Sequence, residues 1–195
     1  SISDKENSPK LLIGSGKDKV HLSIVMTSDR GLCGGFNTNI IKKAKLYFQK
    51  LSDNGKELKI ITVGSKGYDQ LKRIYKDKII ENISFKNSKN ANYFDAEKVG
   101  KVIIEKFEKE EFDICTIFYN QFKNVITQIP QVQQIIPLNN EEKESSSDES
   151  YEFEPDEDEI LSNLLPKNIS TQIFKAMLEN SASEQGSRMS AMDNA

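Results

Sequence analysis

Strand-like and helix-like apolar patterns alternate along the first 120 residues, and this alternation limits the folds open to the chain more than any other feature. Four short segments rich in β-branched residues have the pattern of buried strands. The three segments between them repeat apolar residues every three or four positions, as amphipathic helices do. Strands joined through helices lie parallel in one sheet, so the sequence predicts an α/β fold with a mostly parallel sheet flanked by helices. The predicted strands are residues 20–26, 58–63, 79–85 and 113–119, and the predicted helices are residues 40–51, 65–75 and 96–107.

Capping residues indicate where these helices begin and end. Asn37 or Thr38 is a suitable N-cap for the first helix, and Asn54 followed by Gly55 is a suitable stop. Asp95 is the predicted N-cap of the third helix.

The chain changes character after the fourth predicted strand. Residues 125–138 alternate as an edge strand does, and two prolines exclude them from the middle of a sheet. Residues 139–159 hold eleven acidic residues and one lysine, a local charge of −10 in a chain whose net charge is −3. We divide the sequence into a lead-in (1–18), an α/β domain (19–138), an acidic mobile segment (139–150), a return strand and short helix of the same domain (151–165), and the start of a C-terminal coiled-coil helix (166–195).

The last predicted helix carries an apolar stripe that needs a partner. A short helix capped by Asp156 is predicted before it. Pro166 suits the first turn of the C-terminal helix. The stripe continues to Ala195 without a stop signal, so we expect the C-terminal helix to be truncated and to pack against another helix. The stripe consists of Phe174, Leu178, Ala182, Gln185, Met189 and Met192, spaced four, four, three, four and three residues apart.

Composition excludes several classes of protein. The lysines are scattered without an arginine cluster or a series of stacking aromatics, so nucleic-acid binding has little support. The two cysteines, Cys33 and Cys115, are too few for a disulfide framework, and no spacing of metal ligands is present. The sequence contains neither an apolar run long enough to cross a bilayer nor the pattern of a signal peptide. We therefore expect no metal and no other cofactor.

A glycine-rich loop, TSDRGLCGGFN at residues 27–37, follows the first predicted strand. A phosphate-binding GxxxxGK loop is excluded because Gly34 and Gly35 precede a phenylalanine. The dinucleotide pattern GxGxxG also fails, since the glycine spacing differs and no acidic residue ends the second strand. Cys33 would need a base to act as a nucleophile, and the single histidine, His21, lies upstream on the strand. We interpret the loop as a tight structural turn and expect no catalytic residue.

Asp29 and Arg30 are the charged residues of this loop. Arg30 can pair locally with Asp29, or it can reach a carboxylate on a neighbouring helix. The glycines beside them let the backbone turn tightly and let another surface approach closely. The sequence leaves both arrangements of the arginine open.

Two segments carry a family resemblance. SDRGLCGGFN at residues 28–37 and SEQGSRMSAMDNA at residues 183–195 resemble the two signature segments of the gamma subunit of F-type rotary ATP synthases. KDKVHLSIVMTSDRGLCGGFN is similar to the bacterial and mitochondrial branch of that family. The resemblance implies a Rossmann-like α/β domain that binds no dinucleotide, placed between N- and C-terminal helices that form an antiparallel coiled coil. It also implies a non-catalytic subunit that transmits rotation between a membrane c-ring and catalytic beta subunits.

The resemblance assigns roles to particular residues. Glu184 and Arg188 match positions that touch the beta subunits, and Phe153 with Glu154 matches the segment that faces the c-ring and the epsilon subunit. The sequence departs mildly from the family pattern at Gly186 and Ser187, where the family often has small residues such as alanine, and departs further in the acidic segment. The structural signature loop comprises Asp29, Arg30, Gly31, Cys33, Gly34 and Gly35, and the stripe that would pack on the N-terminal helix comprises Phe174, Leu178, Ala182, Met189 and Met192.

The partners implied by the resemblance are the alpha, beta and epsilon subunits and the c-ring, with no nucleic acid and no direct small-molecule substrate. The expected location is peripheral, on the cytoplasmic face of a bacterial inner membrane or on the matrix side of a mitochondrial one. Two alternatives stay open at the level of the sequence: a small-ligand α/β enzyme or nucleotide sensor, which would bind ATP or NAD, and an interaction scaffold unrelated to rotation.

Overall fold

Strands and helices alternate in the order that the apolar pattern predicts. The computed structural model describes residues 10–88, 90–138 and 157–195, and of residues 157–160 it describes the backbone alone. The strands are β1 (Val20–Met26), β2 (Glu57–Val63), β3 (Ile79–Ile83), β4 (Ile114–Phe122) and β5 (Gln128–Ile136). The helices are α1 (Lys10–Ile13), α2 (Phe36–Asp53), α3 (Ser65–Tyr75), α4 (Tyr93–Glu108) and α5 (Glu157–Asp193).

The five strands of the described residues form one mixed sheet in the order β3-β2-β1-β4-β5. The first four are parallel, and β5 runs antiparallel to β4 at the edge. The predicted α/β class is therefore confirmed, and so is the edge position of the strand that contains Pro130. Because β1 has β2 on one side and β4 on the other, the loop that follows β1 lies at the centre of the sheet's carboxyl edge.

Helices cover both faces of the sheet, as the apolar residues on both sides of β1 predict. Leu22, Ile24 and Met26 of β1 face the helices α4 and α5. Val25 faces the opposite layer, which α2 and α3 provide. The first layer includes Val99, Ile103, Ile169 and Ile173, and the second includes Ile40, Ile41, Ala44, Phe48 and Leu71.

Asp113, which directly precedes β4, fastens the amino edge of the sheet. Its carboxylate accepts hydrogen bonds from the backbone N–H groups of Lys19 and Val20, both at 2.9 Å, and from the Ser15 hydroxyl at 3.0 Å. Burial alone would raise the pKa of Asp113, but the two N–H donors and the hydroxyl outweigh it and lower the pKa below the ordinary value. Residues 10–18, assigned to the lead-in, are thus attached to the domain in the structure.

A single helix, α5, occupies the region where the sequence predicts a short helix followed by a second helix beginning at Pro166. The structure places Pro166 inside α5. Proline removes one helical N–H but has a φ that suits a helix. Leu165 and Ile169 lie on either side of the proline and are 6% and 0% exposed. Their packing against the domain keeps the helix continuous through the proline. The return strand at 151–153 and the cap at Asp156 lie outside the described residues, and the division into domains stays a prediction.

Two predicted N-caps are wrong by a few residues. α2 begins after Gly35, and Asn37 lies inside its first turn, where the side chain bonds back to the preceding loop. α4 is capped by Asn92, whose side-chain oxygen accepts from the backbone N–H of Asp95 at 2.9 Å. The Asn92 side-chain amide donates in return to the Asp95 carboxylate at 2.8 Å, so the two side chains hold each other at the start of the helix.

Gly64, which connects β2 to α3, provides a direct test of the packing at the carboxyl edge. Its φ is +107°, and a Cβ atom there would overlap the Thr27 carbonyl oxygen and lie 2.6 Å from the Thr27 hydroxyl. Gly64→Ala should therefore lower the free energy of unfolding by about 3–5 kcal/mol through backbone strain and overlap. Gly55, which has φ +67° and open space around it, is the matched control. Gly55→Ala should cost only about 1 kcal/mol in urea unfolding, and equal losses would contradict this packing.

The hydrogen bonds of Asp113 predict a pH dependence. A carboxyl group whose pKa is lowered by folding adds stability above its unfolded pKa of about 3.9, and this stability is lost as the pH falls through the folded value. Asp113→Asn should therefore reduce stability at neutral pH and flatten its decline in acid. Urea unfolding between about pH 6 and pH 2 measures this effect. Asp69→Asn removes an exposed carboxylate that is paired with Lys72 and should leave the decline nearly unchanged.

Candidate functional site

The signature loop is held in place by Asn37 on the first turn of α2. The Asn37 side-chain oxygen accepts from the Ser28 N–H at 2.9 Å, and its amide nitrogen donates to the Ser28 hydroxyl at 2.7 Å. The same amide lies 3.4 Å from the Cys33 sulfur, and Cys33 is 3% exposed. The thiol thus fills space inside the turn, which agrees with the structural interpretation of the loop.

The structure does not bring His21 near Cys33. His21 lies at the amino end of β1 and pairs with Asp18, whereas Cys33 follows the carboxyl end of the same strand. The five residue-to-residue steps of strand from His21 to Met26 correspond to about 16 Å. The base that a cysteine nucleophile would require is therefore at the wrong end of the sheet.

Asp29 ties the loop to two neighbouring elements. Its carboxylate accepts from the Ser65 N–H at 2.8 Å, the Ser84 hydroxyl at 2.7 Å and the Phe85 N–H at 3.1 Å. These contacts join the end of β1 to the first turn of α3 and to the segment after β3. The sequence left open that Arg30 pairs with Asp29 or with a carboxylate on a neighbouring helix, and neither pair is found among the described residues. The Arg30 side chain is exposed and has no hydrogen bond or ion pair within the described residues.

The glycines of the loop let α5 approach its backbone. Gly34 has φ +57°, and a Cβ atom there would lie 3.2 Å from the Ser187 hydroxyl. That hydroxyl donates to the Cys33 carbonyl at 2.6 Å, and an Arg188 nitrogen lies 3.5 Å from the Gly31 carbonyl. The two signature segments, more than 140 residues apart in the sequence, are thus in direct contact.

Glu184 and Arg188 form an ion pair on α5 beside this contact. The Arg188 Nη2 to Glu184 Oε1 distance is 2.7 Å, and their side chains are 18% and 20% exposed. Both line a cleft of about 600 Å³ at the carboxyl ends of β1 and β2, between the signature loop and α5. Open α/β sheets bind their ligands at this position, and here α5 forms one wall of it. No group of three or more His, Cys, Asp or Glu residues in the described ranges is arranged as a metal site.

The predicted stripe on α5 is largely exposed. Leu178, Met189 and Met192 are 47%, 55% and 68% exposed, and Ala182 is also exposed. Phe174 differs, because its ring contacts Tyr93 of α4 edge-on at 5.7 Å and is half-buried. The exposed stripe of the structure therefore begins at Leu178. Phe153 and Glu154 lie outside the described residues, so their role stays a prediction.

Sequence reasoning missed a second stripe on α5, which faces the domain. It consists of Ile169, Ile173, Ala176, Asn180, Ser183 and Ser187, all buried. The first three pack in the core, and the last three make hydrogen bonds to the carboxyl edge of the sheet. Steps of four, three, four, three and four residues mark a continuous helix face. This spacing, with small polar residues counted beside apolar ones, would have found it.

Comparison with known proteins agrees with the two motifs. A family model described as ATP synthase matches residues 1–195. The ATP synthase gamma chain of Pelagibacter ubique is 84% identical over 195 residues, and that of Roseobacter denitrificans is 53% identical over 196 residues. The chain belongs to the ATP synthase gamma-chain family. It aligns over its whole length and covers 67% of each of these two gamma chains.

Solved structures of the central stalk share the fold. The match to the central stalk and c-ring structure of Tetrahymena thermophila mitochondrial ATP synthase has a TM-score of 0.72 and 26% identity, and covers 100% of this chain and 85% of that one. The rotor of Euglena gracilis mitochondrial ATP synthase matches with a TM-score of 0.65 and 19% identity, and covers 99% of this chain and 78% of that one. The gamma-chain fold is thus confirmed for this chain.

The contacts of Asp29 predict that it stabilises the loop and that its neighbour does not. Asp29→Ala removes the acceptor of two backbone N–H groups and one hydroxyl, and should lower the free energy of unfolding by about 2–3 kcal/mol. Arg30→Ala, the adjacent exposed residue, should change it by less than about 0.5 kcal/mol. Chemical denaturation of both variants measures the difference. Equal effects would mean that the Asp29 contacts contribute little.

Proposed function

We propose that this gamma chain acts as part of a rotating shaft, which transmits rotation between the membrane c-ring and the catalytic beta subunits during proton-driven ATP synthesis. The supporting observation is the direct contact of the two signature segments. The Gly31 and Cys33 carbonyls lie against Arg188 and Ser187 of α5. A domain attached to a long helix in this way can pass a turning force along the helix. The chain itself performs no chemistry in this proposal.

Glu184 and Arg188 are the proposed contacts with the beta subunits. Their ion pair keeps both side chains extended along α5, and about a fifth of each stays accessible. Partly exposed charged groups form contacts that are specific and easily broken. Contacts of this kind suit a shaft that meets successive beta subunits as it turns.

The exposed stripe from Leu178 to Met192 is the proposed surface for an N-terminal helix of the same polypeptide. Apart from Gln185 its side chains are apolar, and they follow heptad-like spacing and point away from the domain. The gamma chains compared above are longer than this chain, so they contain additional segments that could supply such a helix.

Phe153 and Glu154 are proposed to face the c-ring and the epsilon subunit, with the alpha and beta subunits around the shaft. No helix of the described residues is long and apolar enough to cross a membrane. The proposed location is peripheral, on the cytoplasmic face of a bacterial inner membrane, with the mitochondrial matrix side as the alternative. The named relatives are bacterial, and the named structures are mitochondrial.

Arg188→Ala in the full-length chain, assembled with the other subunits, tests this function. ATP synthesis and ATP hydrolysis should fall several-fold, because the proposed contact with the beta subunits is lost. The stability of the chain should change by less than about 1 kcal/mol, since a partly exposed pair four residues apart contributes little. Turnover assays and thermal unfolding of the same preparations measure the two quantities.

Arg188→Lys is the matched control for charge. It retains the positive charge but lacks the planar fork of donors, so it should recover part of the activity. Unaltered synthesis and hydrolysis in Arg188→Ala would contradict the proposed contact. A parallel loss of stability and activity would indicate that Arg188 is needed only for folding.

A further inference from the structure

The buried polar side chains of α5 bond to the backbone of the α/β domain. Asn180, Ser183 and Ser187 are 7%, 0% and 8% exposed. Each directs its polar group across the interface to another element. The same face of the helix is apolar one turn earlier, so the change from apolar to polar coincides with the point where α5 reaches the carboxyl edge of the sheet.

Asn120 of β4 receives two of these contacts. Its backbone N–H donates to the Asn180 side-chain oxygen at 3.0 Å, and its carbonyl accepts from the Ser183 hydroxyl at 3.0 Å. Asn120 lies two residues beyond Phe118, which forms the last pair of β4 with β1, and its register partner on β5 is Pro130, which has no N–H. Asn180 and Ser183 of α5 therefore satisfy backbone groups of β4 where its ladder with β1 has stopped, although β4 still pairs with β5 as far as Phe122.

Ser187 provides the third contact, on a different element. Its hydroxyl donates to the Cys33 carbonyl at 2.6 Å in the signature loop. The three contacts lie within two turns of one helix face and reach two separate parts of the carboxyl edge. Hydrogen bonds are directional, so together they specify the angle of α5 about its own axis more narrowly than apolar contacts do.

Glycines allow the helix to come close enough for these bonds. Gly34 leaves room for the Ser187 hydroxyl. On the neighbouring strip of α5, a Cβ atom at Gly186 would lie 3.1 Å from the ring of Phe122 and 3.3 Å from the Cα atom of Val125. The β4–β5 turn thus packs tightly against the helix, next to the bonds.

We propose that Asn180, Ser183 and Ser187 are positioning residues that fix the rotational angle of α5 in the α/β domain and carry torque between them. This inference rests on the proposed rotary function. Charged groups of the adjacent cleft bond mainly to protein partners: Glu184 pairs with Arg188, and Asp29 holds α3. The carboxyl edge, where related folds bind ligands, thus serves here as the attachment point of a helix.

The test uses the full-length chain assembled with the other subunits, with the stator fixed and a rotation probe on the exposed face of α3. Ser183→Ala combined with Ser187→Ala removes two hydroxyls, adds no bulk and favours the helix. Torsional stiffness, measured from the thermal angular fluctuations of the probe, should fall to about half, because two of the three bonds are lost while the apolar contacts of α5 remain. Ser181→Ala is the matched control. Its hydroxyl has no bond to the α/β domain in the described structure, so stiffness should not change.

A second pair of variants separates positioning from folding. Asn180→Asp retains an acceptor for the Asn120 N–H, whereas Asn180→Leu is similar in size and removes it. Hydrogen exchange of the Asn120 amide should become about tenfold faster in the leucine variant and stay close to the original rate in the aspartate variant. Stiffness should follow the same order. If the double serine variant does not assemble, Ser187→Ala alone is measured, and a smaller loss of stiffness is expected.

The outcomes distinguish the inference from the proposed function. A probe on the unmodified complex that does not rotate during ATP hydrolysis would overturn the rotary function and the inference with it. Normal rotation of the unmodified complex, together with unchanged stiffness in the serine variants, would overturn the inference alone. Reduced thermal stability without any change in stiffness would show that the three residues are only structural.

Discussion

The attachment of α5 to the carboxyl edge of the sheet is the constraint on which the rest of the structure depends. The part of α5 around Ile169 and Ile173 completes the core, because both residues are fully buried against the sheet and α4. The part from Asn180 to Ser187 bonds to the backbone of β4 and the signature loop. One element therefore closes one face of the sheet and also sets the shape of its central edge.

This arrangement shows how a fold typical of nucleotide-binding proteins can use its carboxyl edge to hold a helix. In an open α/β sheet, free backbone groups at the carboxyl edge are the usual means of holding a ligand. Here the groups of Asn120 and Cys33 are occupied by α5, and Asp29 holds neighbouring loops together. Each of these contacts is internal to the chain and adds rigidity to the edge beside the cleft.

Much of this architecture could be predicted from the sequence because it depends on apolar periodicity. The four parallel strands, the edge strand with Pro130 and the stop at Gly55 all follow from local patterns. The caps at Gly35 and Asn92 were not predicted, because glycine has no capping side chain and because Asp95, another good capping residue, lies inside α4. Pro166 lies inside a helix because tertiary packing outweighs one lost hydrogen bond.

The polar contacts of the site could not be predicted in the same way. Asn180 and Ser183 carry no signature that separates a buried residue from a solvated one, since their burial depends on β4, some 60 residues upstream.

Both thiols, Cys33 and Cys115, are enclosed, and burial raises the pKa of the Cys115 thiol. Alkylating reagents need an accessible thiolate. A cysteine introduced on the surface of this domain would be the preferred target for a fluorophore or a crosslinker, with both native cysteines left in place.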